Sequence, residues 1–318
     1  MIEFEAPDWQ ALHSSLSRRR RFAFCPVGYY LYHVPGRDGY DNHPDDWHWQ
    51  IYCAKHAVTA RGWVEQLFRK AVRSYFTPGD NFRHKKFANF VRVCFEKDFS
   101  LLESNAAVDD PKVVPEVING QNHDFSLYDF YDQAVFDLNN MISSFSQTAL
   151  FEDLYKQPYS AFRNISDAFR WQLGGVNFSA VPDLVWSSDS LLNVLDMNQY
   201  GYAEERIRQA ELFRVYIYSF MQIAPARVAV YNFDLQKFSL IAVPSPEEDF
   251  TQVFQQLYGE AAMWRDYLMK QAAEAGNGVW HYAQLDKCTF CRFGKLCPAR
   301  NGTAEVENRS IISKEDRI

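Results

Sequence analysis

The sequence has no run of about eighteen uninterrupted apolar residues, so it offers no candidate for a membrane-spanning helix. Its first ten residues, "MIEFEAPDWQ", are acidic and lack a charged stretch followed by an apolar one, so no signal peptide is expected. A cytoplasmic protein is the resulting expectation. Positive charge is in deficit: 33 Lys and Arg stand against 40 Asp and Glu, for a net charge of −7. That excludes a generally basic nucleic-acid coat, and any phosphate binding has to use local groups of cations. Cysteine is scarce. Six thiols in a reducing compartment are not expected to form a disulfide framework. There is no internal repeat and no low-complexity tract. What the chain does have is apolar mass, 47% hydrophobic and 16% aromatic residues, which excludes global disorder and allows a sizeable core.

Along the chain, "SSLSRRRRFAFCPVGYYLYHV" (14–34) predicts a helix after a Ser N-cap, interrupted near Cys25-Pro26. Arg18, Arg19, Arg20 and Arg21 form a basic cluster, either a solvated face or a phosphate clamp beside the aromatic segment. Residues 35–48 read as loop. Residues 62–76 are a helix with Trp63, Val64, Leu67, Phe68, Ala71, Val72 and Tyr75 on one face and Gln66, Arg69, Lys70 and Arg73 on the other. A second basic amphipathic segment spans 83–95 and brings Arg83, Lys85 and Lys86. Residues 98–125 read as loop or insertion, and 127–157 as helical. Gly174-Gly175 between two extended runs marks a hairpin. "LLNVLDM" is a buried strand. A helix at 203–222, strands at 227–233 and 237–243, a helix at 250–275 and a cysteine-rich end follow. The order indicates an α/β or α+β chain with helices packed on a sheet.

Two aspartates in "VPDLVWSSDSLLNVLDMNQY" (181–200) draw the eye. Asp183 precedes one apolar run and Asp196 ends the next, with Asp189 in the polar turn between. Adjacent strands bring Asp183 and Asp196 together, and two buried carboxylates repel unless a cation sits between them. A divalent ion such as Mg²⁺ suits an all-oxygen site and can activate water against a phosphodiester. The plain alternative is a turn at Asp183 and a loop cap at Asp196. Gln209, Phe213, Tyr216 and Phe220 share a helical face, and a glutamine there is costly without a hydrogen-bond partner.

The cysteines are the other cluster. Cys288-x2-Cys291-x5-Cys297-Pro298 puts three thiols within ten residues, which points to a metal or cluster site. Cys25 is the obvious fourth ligand, while Cys53 and Cys94 fit buried core thiols. Four thiolates suit either tetrahedral zinc or an iron–sulfur cluster.

Together, Pro182-Asp183, Asp196-Met197-Asn198, Gln209 to Phe213, "FCPVGYYLYHV" and the four cysteines resemble the RecB-type branch of the PD-(D/E)XK nucleases that carry an iron–sulfur staple. The resemblance implies an α/β fold with a restriction-endonuclease-like central mixed sheet flanked by helices. Residues 1–300 would form one domain, 15–34 and 280–298 its helical cluster-binding ends, 77–160 a helical insertion and 301–318 a polar tail. It implies a [4Fe-4S] cluster on Cys25, Cys288, Cys291 and Cys297, with Mg²⁺ or Mn²⁺ on Asp183 and Asp196. The activity implied is hydrolysis of DNA ends or single strands, in DNA processing or defence, with partner proteins in a larger complex. Three positions depart from the pattern. Asn198 replaces the lysine, Gln66 replaces a ligand histidine and Phe213 replaces a tyrosine. Loss of the lysine's charge costs about 3 kcal/mol in the transition state. Arg69 or Lys70, three and four positions beyond Gln66, is a candidate to supply it; the plain alternative is that both are solvated surface cations. Otherwise the chain is a catalytically inactive relative that binds DNA or supports a complex. Arg18 to Arg21, Arg69, Lys70, Arg83, Lys85 and Lys86 are the expected DNA contacts.

Overall fold

The structure is a computed structural model, and it describes residues 12–36, 46–77, 85–104, 111, 115, 117, 126–163, 169–173, 176–188, 190–200, 202–245, 250–275, 279–280, 288, 291–298, 300 and 305–306. A short strand β1 (Leu12–Ser14) leads into α1 (Leu16–Phe24) and α2 (Pro26–His33). Ser15 accepts from the Arg18 amide and starts α1. Cys25 adopts an extended backbone and Pro26 occupies the first turn of α2, which breaks the segment at the expected place. Then come α3 (Asp46–His56), α4 (Ala60–Phe76), α5 (Phe87–Glu103), α6 (Leu127–Ser146) and α7 (Ala149–Lys156).

The strands are β2 (Phe169–Leu173), β3 (Val176–Ala180), β4 (Leu184–Ser188) and β5 (Leu191–Asp196). Helix α8 (Ala203–Met221) carries the chain to β6 (Val228–Asp234), β7 (Ser239–Val243) and α9 (Phe250–Ala275). A last pair, β8 (Val279–Trp280) and β9 (Glu305–Val306), is parallel. The main sheet runs β4-β5-β6-β7. Its β4/β5 and β6/β7 pairs are antiparallel, while β5 and β6 are parallel, the pairing that a helical crossover such as α8 allows. A second mixed sheet runs β1-β3-β2, with β2/β3 the expected hairpin.

The main sheet is covered on both faces. Leu184, Trp186, Leu195 and Phe233 pack into the apolar layer of α4, α5 and α6. The alternate residues Val185, Leu192, Val194, Val228 and Val230 pack against α8 and α9. This explains why β5 is buried along all but its first residue. Each fully buried large side chain contributes roughly 1.5–3 kcal/mol.

Two expectations change. Residues 98–103 are helix, because Phe99 and Leu102 continue the buried stripe of Phe90, Val91 and Phe95 along α5. In the stretch 280–298, Trp280 ends β8 and residues 292–296 are turns, so the described residues there form no α-helix. The helices α5, α6 and α7 form one wall of the largest apolar cluster with α4. Among the described residues no helix is long and apolar enough to cross a membrane.

Candidate functional site

Pro182-Asp183 lies just ahead of β4, and the Asp183 amide donates to the Leu195 carbonyl at 2.7 Å. That bond extends the β4/β5 pairing by one step and places Asp183 beside the end of β5, where Asp196 stands. The Asp183 side chain is completely buried. Its Oδ2 accepts from the Met197 amide at 2.7 Å. Its Oδ1 accepts from Arg69 Nε at 2.8 Å and from Arg73 Nε and Nη2 at 3.1 and 2.7 Å. Arg69 and Arg73 are four residues apart on α4 and so share a face. Arg69 also donates through Nη1 to Asn198 Oδ1 at 2.9 Å. Burial works against the charge on Arg69, but the Asp183 carboxylate outweighs it and lifts the guanidinium above the usual arginine range.

Asp196 is held differently. The Asn198 amide donates to Oδ1 and the Tyr200 hydroxyl to Oδ2. Burial, and then the neighbouring Asp183 charge, push the Asp196 carboxyl up to about 6, against the pull of Tyr200, Arg69 and Asn198. Burial and Asp196 push the Tyr200 hydroxyl well above its ordinary range. The loop after β5 is fixed from β6, where Asn232 Nδ2 donates to the carbonyls of Asp196 and Asn198 at 3.0 Å each.

Two carboxylates and two guanidiniums therefore meet at one place. Asp183 Oδ1 already carries three donors, so a divalent ion has to displace an arginine to reach it. Among the described residues no three Asp, Glu, His or Cys side chains form a group that would hold a metal ion. In this arrangement the aspartate pair does not fit Mg²⁺ or Mn²⁺.

Arg69, Asn198 and both aspartates come together as the sequence reading expected. Gln66 and Lys70 do not join them. Gln66 is exposed on another part of α4. Lys70 pairs with Asp98 at 3.2 Å. Glu65 and Arg73, which the sequence reading did not select as site residues, face the site instead. Glu65 accepts from Arg61 Nε at 2.9 Å and from the Gln199 amide, and burial raises its carboxyl despite Arg61. Stepping by four along α4 through Arg61, Glu65, Arg69 and Arg73 is the sequence signal that would have found both. Gln209 is buried on α8, and its Oε1 accepts no hydrogen bond among the described residues. An acceptor left this way costs about 1–3 kcal/mol.

The four consecutive arginines have four separate environments. Arg18 donates to the Tyr29 hydroxyl at 3.4 Å. The terminal nitrogens of Arg19 are buried without hydrogen-bond partners among the described residues, and burial lowers this guanidinium to about 10. Arg20 pairs with Glu205 at 3.1 Å and stands 5.0 Å from the Tyr200 ring. Arg21 stacks on Tyr32 at 3.3 Å. Lys85 and Lys86 are exposed ahead of α5, and Arg83 lies outside the described residues.

The cysteines converge. Cys25, Cys291 and Cys297 belong to one apolar cluster. Burial raises the Cys291 thiol, and Cys25 and Cys288 are close enough to raise it further. Cys25 caps α2, its Sγ accepting from the Gly28 amide at 3.4 Å. A Cβ at Gly28 would lie 3.9 Å from Cys25 Sγ and 4.0 Å from Cys291 Sγ, so the glycine leaves space between two sulfurs. All six cysteines are free of disulfides, and Cys53 and Cys94 are half-buried, less enclosed than expected. Among the described residues the cysteines, like the acids, are not grouped in a set of three that would hold a metal ion. No known protein family, curated protein or solved structure matches the chain.

Proposed function

We propose that the protein is a nucleic-acid-binding scaffold of RecB-type nuclease design in which arginines neutralise Asp183, the first of the aspartate pair, and which does not hydrolyse DNA. The observation that carries this reading is the Asp183 carboxylate, saturated by Arg69 and Arg73 where a nuclease would hold its ion. The order of elements supports the kinship: helix α4, the β4/β5 hairpin bearing both aspartates, α8 bearing Gln209, then parallel β6. Cys25, Cys288, Cys291 and Cys297 would hold a [4Fe-4S] cluster, which supplies a rigid tie between the start of α2 and the cysteine-rich turns. Iron content and visible absorption of the anaerobically purified protein, both lost in Cys291→Ser, test that tie; a colourless zinc protein contradicts it.

At the aspartate site the chain's own groups do three things. Arg69 bridges Asp183 and Asn198, Tyr200 and Asn198 hold Asp196, and Asn232 locks the loop that carries them. These contacts balance charge and fix geometry. None of them generates a nucleophile. Incubation of single- and double-stranded DNA with Mg²⁺ or Mn²⁺ tests the proposal. The expected result is salt-sensitive retention of DNA with no cleavage. Cleavage that disappears in Asp183→Ala and Asp196→Ala replaces it with the metal-dependent deoxyribonuclease reading. One observation favours that second reading: Asp183 raises the Asp196 carboxyl, a repulsion that a divalent ion would relieve. Failure to retain DNA at low salt contradicts both.

A further inference from the structure

Helix α8 carries Gln209, Phe213, Tyr216 and Phe220 on one stripe, and the stripe leaves the core as the helix runs. Gln209 and Phe213 are buried, Tyr216 is half-buried and Phe220 is 58% exposed. The rings along it are ordered. Phe169 from β2 stacks on Tyr216, with centroids 4.2 Å apart and planes 8° from parallel. Phe220 stacks on Tyr216 as well, at 4.7 Å and 28°. One face of a phenol ring has room for one such partner, so Phe169 and Phe220 lie on opposite faces of Tyr216. Trp171 leans on Tyr216 from β2 at a tilt, with centroids 5.8 Å apart and planes at 54°.

A single exposed phenylalanine is ordinary, but a column of near-parallel rings that ends at one is not. Tyr216 covers the inner face of Phe220, so the exposure belongs to its outer face and edges. Rings from β2 fix Tyr216, and Tyr216 fixes Phe220 one turn further along the helix. The outer face is therefore held flat before anything binds, which lowers the ordering cost of binding. The group that continues such a column is another planar ring. Charge narrows the choice of ring. Arg163 is exposed, and its Nη1 rests against Met221 Sδ at 3.9 Å, one residue beyond Phe220. A ring face with a guanidinium beside the next residue suits a planar base joined to a phosphate, and every base has such a face.

We propose that the last turn of α8 is a stacking platform for a nucleobase of a single strand, with the base on the outer face of Phe220 and a neighbouring phosphate toward Arg163. The platform rests on the nucleic-acid reading and gives it a place of contact. That place is away from the aspartates. Helix α8 crosses from the Asp196 end of the main sheet to Val228, which pairs with Leu192 at the other end. The platform therefore stands whether or not the aspartate pair cleaves.

The test uses the full chain in EDTA, with a labelled oligodeoxyadenylate and an abasic strand of the same length. Phe220→Ala is expected to weaken the base-bearing strand about tenfold at unchanged salt slope, and to leave the abasic strand as it was. Phe220→Leu should lose as much, because it keeps an apolar contact without a ring face, and Phe220→Trp should bind at least as well as wild type. Arg163→Gln should lower the salt slope of both strands by about 0.7. Tyr218→Ala removes a ring of similar exposure from another side of α8 and should change nothing. Five results overturn the platform and leave the nucleic-acid reading in place: base-bearing strand held equally by Phe220→Ala and wild type, an equal loss on the abasic strand, full binding by Phe220→Leu, an equal loss in Tyr218→Ala, or a slope that Arg163→Gln does not move. Self-association that depends on Phe220 in sedimentation, with strand affinity unmoved, assigns the face to a second copy of the chain instead. Failure of the wild type to retain either strand at low salt removes the nucleic-acid reading and the platform with it.

Discussion

Helix α4 presents cations to two places that treat them in opposite ways. Towards Asp183, the charges of Arg69 and Arg73 are consumed by a buried carboxylate. Away from it, Lys70 stands in solvent and pairs with Asp98. The first arrangement is closed, with donors and acceptors matched within the chain. The second is open to water, which screens the pair. A buried pair resists a new ion because binding would strand a charge, whereas an exposed pair gives up its partner at little cost.

Breaking the closed site should cost most. Asp183→Ala leaves Arg69 and Arg73 facing each other over a buried gap and should lower unfolding stability by about 3–5 kcal/mol in urea titration. Asp196→Asn tests the neighbouring acid through pH. The folded carboxyl is raised to about 6, so its contribution is present below the unfolded value of about 4 and is lost as pH rises through 6. Relative to the variant, the wild type should lose on the order of 3 kcal/mol across that window. Arg69→Met removes the bridge to Asn198 and should cost about 2 kcal/mol. Arg73→Met should cost about 1 kcal/mol, because that side chain is more exposed and its pair is screened. Gln209→Met removes an unpaired acceptor and should stabilise by about 1 kcal/mol. On the open side, Lys70→Gln should shift stability by no more than about 0.5 kcal/mol, since its pair with Asp98 lies in solvent.

The same contrast explains what could be read in advance. The α4 stripe from Val64 to Tyr75 and the apolar runs ending at Asp183 and Asp196 are periodic features, so they fix elements and bring the two acids together. The spacing also narrowed the added cation to Arg69 or Lys70, and Arg69 is the one that reaches Asn198. What periodicity does not contain is the direction of polar side chains across long gaps. Arg73 reaches Asp183 over 110 residues, and Glu65 meets Gln199 over 134. Arg18 to Arg21 looked like one basic patch, but consecutive helical positions point 100° apart and meet four different environments.

The central claim is that guanidiniums fill the place of a metal ion at Asp183. Mn²⁺ titration followed by electron paramagnetic resonance tests it most directly, because an ion held by protein loses the signal of the free ion. The wild type should leave the Mn²⁺ signal as it is in buffer, and the Asp183→Asn variant should behave alike. Loss of the free signal with wild-type protein, restored by Asp183→Asn, would mean that the ion displaces Arg69 and Arg73, and it would contradict the account.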